Sequence, residues 1–197
     1  MGLTKQAKTI SPKMQEATLH YLSSTRHPIR NRLMFLLSVK CGLRAKEIAA
    51  VYWSLVIDAE GKLTGELMIP NAVAKGHRGG RSIPLSKIVM EELERHRDSL
   101  WHRDGPNDRI IQSERSDRVT PQVIVNTFAK WYRDLGYDGC SSHSGRRTFI
   151  TNAARNITSV GGSLRDIQDL AGHSSLQTTQ LYIEVNKEAR SKVVELI

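Results

Sequence analysis

The longest apolar stretch of the chain, LMFLLSV at residues 33–39, constrains the fold more than any other feature. Apolar residues in and just before it recur with a period close to 3.6, which is typical of an α-helix: Ile29, Leu33, Leu36 and Leu37. Gly42 follows and can supply the left-handed conformation that ends a helix. The stretch is far shorter than the roughly 18 residues that a membrane span needs. We therefore expect a buried helix of a globular domain.

Start and stop signals predict further helices along the chain. Ser11-Pro12 and Thr120-Pro121 each combine an N-cap residue with a proline suited to the first turn. Ser163 and Asp166 form a capping pattern, and Gly172 closes the helix that follows. Besides the helix from Pro28 to Gly42, the predicted helices span 11–23, 45–51, 86–100 and 163–172, begin near 120 and after 143, and include one that runs through Tyr182.

A different pattern separates the early helices from the late ones. Three short apolar runs at 55–57, 67–69 and 82–85 are bounded by turn-rich segments, which favours a small antiparallel sheet. The connection between the last two runs, NAVAKGHRGGR, is rich in glycine and cations and should be exposed. Its Arg78 and Arg81 are predicted phosphate contacts. The fold class is α+β, mainly α-helical with a small antiparallel β-sheet.

The net charge narrows the possible partners. Lys and Arg number 29 against 20 Asp and Glu, which gives a net charge of +9 and a pI near 9.8. A polyanion is the default partner of so basic a chain, with nucleic acid ahead of an acidic membrane surface. Cys41 and Cys140 make neither a disulfide framework nor a zinc ribbon, and the N-terminal residues carry no export signal. We therefore expect a cytoplasmic protein.

The length of 197 residues fits one domain with short ends. We expect a polar lead-in at residues 1–10 that could be an arm, a globular domain at residues 11–185, and a C-terminal tail at residues 186–197. The tail carries apolar residues that its own short helix cannot bury: Val193, Val194, Leu196 and Ile197.

Four separated segments carry polar residues that packing does not require. They read GLRAKE at 42–47, AKG at 74–76, HSGRRTF at 143–149, and LAGHSS at 170–175 leading to TTQLY at 178–182. Together they resemble the catalytic domain of the tyrosine recombinases of the phage integrase family, over about residues 11–185. The resemblance is specific because order, spacing and local structure agree at all four places. It implies the fold of that domain and a DNA strand transferase that needs neither metal nor ATP.

The resemblance implies six catalytic residues: Arg44, Lys75, His143, Arg146, His173 and Tyr182. Tyr182 would attack a DNA phosphodiester and form a 3′-phosphotyrosyl link. The two arginines would hold the nonbridging oxygens in planar forks, and His173 would donate a hydrogen bond to the phosphate. Lys75 would give a proton to the leaving 5′-oxygen, and His143 would act as base or orienter for Tyr182.

Glu47, one helical turn after Arg44, is predicted to orient that arginine. Two residues depart from the commoner family form H-x-L-R-H-T-F, because Gly145 precedes the arginine and Arg147 follows it. Arg147 could contact DNA or a carboxylate, and the apolar contact of the usual leucine is missing. Most family members also carry a separate N-terminal helical domain that closes around DNA, so we expect weaker DNA affinity here.

Simpler explanations exist for each residue taken alone: a solvated arginine, a helix-capping histidine, or a core tyrosine whose hydroxyl reaches the surface. The joint occurrence of all six residues favours catalysis. Three alternatives remain open, namely a DNA-binding regulator without catalysis, a type IB topoisomerase, and a metal-dependent phosphoesterase using His143 and His173. The sequence has no H-x-H, H-E-x-x-H or carboxylate cluster beside those histidines to favour the phosphoesterase.

The recombinase interpretation also implies a set of partners. It requires double-stranded DNA, no cofactor, no metal and no membrane. Exchange of two duplexes needs four strand cleavages, and each chain offers one Tyr182, so we expect a homotetramer on paired sites and a monomer free in solution. The tail would dock on a neighbouring protomer. We expect a bacterial, phage or mobile-element protein that acts at the nucleoid in integration, excision or inversion.

Overall fold

The chain folds mainly into helices with a small antiparallel sheet, as the sequence predicts. The computed structural model describes residues 6–73, 80–100 and 104–182. In these ranges the helices and strands are α1 (Pro12–Ser23), α2 (Pro28–Val39), α3 (Ala45–Ala50), β1 (Glu66–Ile69), β2 (Arg81–Pro84), α4 (Lys87–Asp98), α5 (Pro121–Asp134), α6 (Ser144–Asn156), α7 (Leu164–Ala171) and α8 (Leu176–Gln180). Short 3₁₀ turns lie at Trp53–Leu55 and Ile157–Val160.

Helix α2 forms the centre of the molecule. It packs against α1, α4 and α6, and every residue from Leu33 to Val39 is buried. This confirms the buried helix expected from the apolar stretch. In the described ranges, no helix is long and apolar enough to cross a membrane.

Local capping explains where several helices begin and end. The Met14 N–H donates to Oγ of Ser11, and the Val123 N–H donates to Oγ1 of Thr120, so both Ser/Thr-Pro signals mark helix starts as predicted. The serine–aspartate capping pattern before α7 is formed. Gly172, with φ of +60°, ends α7 in the left-handed region.

The sheet is smaller than the sequence suggests. Strands β1 and β2 pair antiparallel, with Leu67 opposite Ile83. The run at 55–57 does not add a third strand, because buried Trp53 anchors a 3₁₀ turn there and a single bridge joins Ile57 to Leu63. The prediction of a strand at 55–57 is therefore wrong.

The N-terminal segment packs on the globular body. Ile10 is only 2% exposed, and its N–H donates to Oγ1 of Thr148 at 2.8 Å. The Lys8 N–H donates to the Gly139 carbonyl at 3.0 Å. Residues 6–10 are therefore not a free arm, because burial of Ile10 and these two hydrogen bonds hold them in place.

Helix α8 is shorter than predicted. Helix α8 ends at Gln180, so Tyr182 lies in the turn that follows and not within a helix. Residues 183–197 lie outside the described residues, and with them the predicted tail at 186–197.

Candidate active site

A cleft of about 570 Å³ brings together side chains from separated parts of the chain. Its lining includes five of the six predicted catalytic residues: Arg44, His143, Arg146, His173 and Tyr182. Ala7 of the N-terminal segment forms another part of the wall. The sixth residue, Lys75, and the predicted phosphate contact Arg78 lie outside the described residues.

Arg44 stands just before α3 and is anchored by Glu47. Oε2 of Glu47 accepts a hydrogen bond from the Arg44 backbone N–H at 2.8 Å, and Oε1 accepts one from Nη1 of Arg44 at 3.0 Å. The Glu47 side chain is 1% exposed, whereas that of Arg44 is 23% exposed. Arg44 therefore reaches the cleft while its guanidinium is anchored by a buried carboxylate.

Arg81 does not lie in the exposed connection where the sequence placed it. It begins β2, and its two terminal nitrogens donate to the two carboxylate oxygens of Glu47 at 2.9 and 3.0 Å. Burial raises the pKa of Glu47, but the hydrogen bonds and positive charges of Arg81 and Arg44 lower it by more. The pKa of Glu47 therefore lies below its usual value. The expected exposed position is therefore wrong, because a buried carboxylate elsewhere in the chain pairs with this arginine.

Arg146 is 5% exposed and connects two loops of the cleft. Its Nη1 donates to the Gly42 carbonyl at 2.7 Å, and its Nη2 donates to the Ala171 carbonyl at 2.5 Å. These carbonyls lie two residues before Arg44 and two before His173, so one guanidinium ties together the loops that carry both side chains. Burial and the charge of Arg44 lower the pKa of Arg146, yet a guanidinium stays protonated at neutral pH.

The two departures from the commoner family pattern have structural explanations. A Cβ on Gly145 would lie 2.2 Å from Oγ of Ser38 on α2, so α6 and α2 approach too closely for a larger side chain. Nη1 of Arg147 donates to the Ala7 carbonyl at 3.1 Å. This arginine thus contacts a backbone carbonyl of the N-terminal segment, and its contact with DNA or a carboxylate stays a prediction.

His143 occupies the N-cap position of α6, but its side chain makes no capping hydrogen bond. The side chain is exposed and lines the cleft. It is therefore available to a ligand or to a neighbouring side chain, and the capping role considered from the sequence is not what holds it there.

His173 follows the glycine that ends α7. Its backbone is fixed by Gln168, whose carbonyl accepts from the His173 N–H at 3.0 Å and whose Nε2 donates to the His173 carbonyl at 2.9 Å. Nδ1 of the imidazole lies 2.9 Å from Oγ1 of Thr179. Burial and the charges of nearby arginines, Arg146 first, lower the pKa of His173 to about 4, so the ring is neutral at pH 7.

Tyr182 is half-buried beside His173. The two rings stack with centroids 5.6 Å apart and planes 22° from parallel. The Tyr182 N–H donates to the Thr179 carbonyl at 3.0 Å, which fixes the turn that carries the phenol.

The arrangement combines an anion site with a nucleophile. Two guanidinium groups, of Arg44 and Arg146, and a neutral imidazole line the same cleft as a tyrosine hydroxyl. Among the residues that the structure describes, no group of three or more His, Cys, Asp or Glu side chains could hold a metal ion. Nothing in those ranges therefore favours the metal-dependent phosphoesterase.

The family model described as "Phage integrase family" matches residues 8–189, nearly the whole chain. The chain belongs to the phage integrase family. The match begins slightly before, and ends slightly after, the 11–185 region over which the sequence motifs carry the resemblance.

Similar proteins within this family are named tyrosine recombinases. XerA of Thermococcus onnurineus is 31% identical over 171 residues, which cover 84% of this chain and 55% of that protein. XerD of Pseudomonas putida is 31% identical over 167 residues, covering 80% of this chain and 50% of that protein. The chain thus spans about half the length of these curated relatives.

Solved structures show the same fold. A crystal structure of XerA recombinase has a TM-score of 0.72 at 21% identity and covers 97% of this chain and 65% of that chain. XerH recombinase in a pre-cleavage complex with its difH substrate has a TM-score of 0.72 at 18% identity, covering 98% of this chain and 55% of that chain. This phage integrase chain therefore has the fold of a tyrosine recombinase catalytic domain.

Sequence reasoning assigned no role to Thr179 and Gln168 in this integrase-family cleft. Thr179 lies inside the TTQLY segment that carries part of the resemblance. Its contact with His173 depends on how α8 packs against the end of α7. Gln168 holds the backbone of His173 from one turn before the end of α7. The two residues are five apart, which is not a spacing at which side chains on a helix meet, so the sequence carried no signal for this contact.

Proposed function

We propose that this chain is the catalytic part of a site-specific DNA recombinase that cuts and rejoins DNA through a 3′-phosphotyrosyl intermediate. The observation that carries the proposal is the position of Tyr182 in one cleft with two arginines from distant segments. A phosphodiester is the anion that such a pair of planar forks suits, and a phenol is a nucleophile that can displace one of its ester oxygens.

The first chemical step forms one bond and breaks another. Oη of Tyr182 attacks phosphorus, the bond from phosphorus to the 5′-oxygen breaks, and a 3′-phosphotyrosyl ester results. Arg44 and Arg146 stabilise the negative charge that grows on the nonbridging oxygens. The step reverses when a 5′-hydroxyl of another strand attacks the ester and releases Tyr182, so no ATP is consumed.

Two protons move in this step. The phenol, with an ordinary pKa near 10, passes its proton to His143, which acts as base or orienter. Lys75 protonates the leaving 5′-oxygen as general acid. His173 donates a hydrogen bond to the phosphate, and Glu47 holds Arg44 in position.

Double-stranded DNA is the proposed partner. The net charge of +9 and the cationic cleft support it, and one solved relative is a recombinase bound to its substrate. Arg78 and Arg147 are proposed DNA contacts. Arg147 also holds the N-terminal segment through the Ala7 carbonyl. Four protomers on paired sites supply the four cleavages of one exchange, with the tail at 186–197 docked on a neighbour and a monomer free in solution.

The relatives favour recombination over the other two DNA activities. Both curated relatives described above are named tyrosine recombinases, whereas a topoisomerase would relax supercoils without a defined site. A regulator without catalysis would not require Tyr182. Integration, excision and inversion share this chemistry and differ in how the DNA sites are arranged.

Covalent trapping on a nicked suicide substrate that the protein binds tests the proposal. Wild-type protein should form a detergent-stable protein–DNA adduct, and EDTA should not prevent it. Tyr182→Phe should form none. Tyr52→Phe is the matched control, because that ring packs over Arg109 outside the cleft, and it should form the adduct normally. An adduct in Tyr182→Phe, or none in the wild type, would refute the assignment.

A further inference from the structure

Thr179 contacts both His173 and Tyr182. Its side chain is fully buried, and Oγ1 lies 2.9 Å from Nδ1 of His173. Its backbone carbonyl accepts from the Tyr182 N–H at 3.0 Å. One residue of the short helix α8 therefore touches the imidazole and the turn of the tyrosine at the same time.

The hydroxyl of Thr179 differs from three other threonine hydroxyls on helices of this protein. Thr18, Thr127 and Thr148 each donate to the carbonyl four residues earlier, at 2.7, 2.7 and 2.8 Å. The corresponding carbonyl for Thr179 is that of Ser175, the N-cap of α8. In the described residues the hydroxyl bonds instead to the imidazole.

This difference decides which ring nitrogen carries the proton. A buried hydroxyl hydrogen needs an acceptor, and Nδ1 of His173 is the acceptor that the described structure offers. If Nδ1 carried the proton, it would donate to Thr179 and leave the threonine hydrogen buried without a partner. The hydroxyl therefore donates to Nδ1, and the hydrogen of the neutral imidazole sits on Nε2.

We propose that Thr179 is a positioning residue that holds His173 in its Nε2–H tautomer, so that the ring offers a neutral hydrogen-bond donor to a phosphate in the cleft. The chemical purpose rests on the proposed function, whereas the tautomer does not. The same residue also fixes the tyrosine turn, so the donor and the nucleophile keep their relative position.

The cationic surroundings of the ring explain why a fixed tautomer matters. The pKa of His173 lies well below neutrality, so protonation does not supply the donor at pH 7. A neutral imidazole has one N–H, and it faces a phosphate only if the other nitrogen is engaged elsewhere. Without the threonine hydroxyl, the two tautomers would compete.

Long-range ¹⁵N–¹H NMR of the imidazole nitrogens in the free protein tests the tautomer directly. Wild type and Thr179→Ser should show His173 protonated on Nε2 at pH 7, and Thr179→Val should show a shift toward Nδ1. His173→Gln identifies the resonance among the seven histidines. Protonation on Nδ1 in the wild type, or an unchanged tautomer in Thr179→Val, overturns the proposal.

Single-turnover cleavage tests the chemical purpose. Thr179→Val should cleave on the order of 10- to 100-fold more slowly, as when the outer partner of a functional imidazole is removed, with unchanged DNA affinity. Thr179→Ser should restore the rate. Thr18→Val removes an equally buried hydroxyl elsewhere and should cleave normally. A normal rate in Thr179→Val contradicts the proposed purpose, whereas failure of the proposed function itself would show as no cleavage by the wild type despite the expected tautomer.

Discussion

Two regions of the molecule support the cleft in different ways. The clamp region, consisting of α2, α3, β2 and the first turn of α6, holds both arginines above the large hydrophobic core. The nucleophile region, consisting of α7, α8 and the turn at Tyr182, rests on a second cluster whose described buried members are Ile150, Ile167 and Ala171. The two arginines are therefore held by contacts with buried groups, and Tyr182 by a few hydrogen bonds and light packing.

Unequal packing of this kind allows a site to be both rigid and adjustable. Binding of a phosphate gains from groups that are already in place, whereas a phenol that must attack, hold and release DNA benefits from a region that opens at low free energy. Arg146 joins the two regions, because it bonds to carbonyls at Gly42 and Ala171. If this comparison is right, substitutions in the two regions have separable effects.

The largest expected effect comes from breaking the ion pair in the clamp region. Glu47→Gln leaves buried Arg81 without a counter-charge and should lower the free energy of unfolding by about 3–5 kcal/mol in urea titrations. Glu91→Gln, in an exposed pair with Lys87, should change it by less than about 1 kcal/mol. Equal effects of the two variants would show that the clamp region is not held by this buried contact.

Replacing an arginine of the clamp region by lysine, which keeps the charge, should have the next largest effect. Arg44→Lys loses the planar fork and should cost about 2–4 kcal/mol of transition-state stabilisation in single-turnover cleavage. Its DNA affinity should change far less. Arg146→Lys should slow cleavage similarly and also lower stability, because a lysine cannot reach both carbonyls. If Arg44→Lys cleaved at the wild-type rate, Arg44 would be a surface contact.

Acid should weaken the folded protein through its histidines. The folded-state pKa of His173 is about 4, below the ordinary 6.5, so the unfolded state binds more protons between these values. This contribution to stability is complete above about pH 6.5 and is lost as the pH falls toward 4. Burial also lowers the pKa of His96, which acts in the same direction.

Urea titrations at pH 7 and pH 5 measure this loss. His173→Gln should lose less stability on acidification than the wild type and retain the part due to His96. Identical losses in the two proteins would mean that His173 is not held neutral in the cleft.

Truncation of one buried side chain in the small cluster should have a smaller effect. Ile167→Val removes one methylene from the small cluster and should cost about 0.5–1.5 kcal/mol. Hydrogen exchange should accelerate mainly in α7 and α8, because we expect a region that rests on the smaller cluster to open independently of the large core. Ile124→Val, in the large core on α5, is the matched control and should accelerate exchange only through global unfolding. Uniform acceleration in Ile167→Val would remove the distinction between the regions.

Local signals in the sequence predicted the helices well and the charged contacts less well. Ser11, Thr120 and Gly172 act through neighbours in the chain, so their caps could be recognised without a structure. Arg81 could not be placed in this way, because its partner Glu47 is 34 residues away. The run at 55–57 has strand-like composition, but the burial of Trp53 overrides that propensity.

In the candidate site, too, the sequence predicted the identity of the residues better than their contacts. The motifs identified five side chains that meet in the cleft, whereas Lys75 lies outside the described residues. They did not reveal that Arg146 is a brace between two loops, or that Thr179 faces the imidazole. Both facts depend on the fold of α6, α7 and α8 relative to one another.

Peptide mapping of the covalent adduct identifies the residue that becomes linked to DNA. Trypsin should release residues 166–187 as one peptide, in which Tyr182 is the only tyrosine. After covalent trapping and nuclease digestion, mass spectrometry should find a nucleotide attached to this peptide and localise it to Tyr182. A nucleotide attached to any other tyrosine would show that Tyr182 is not the nucleophile.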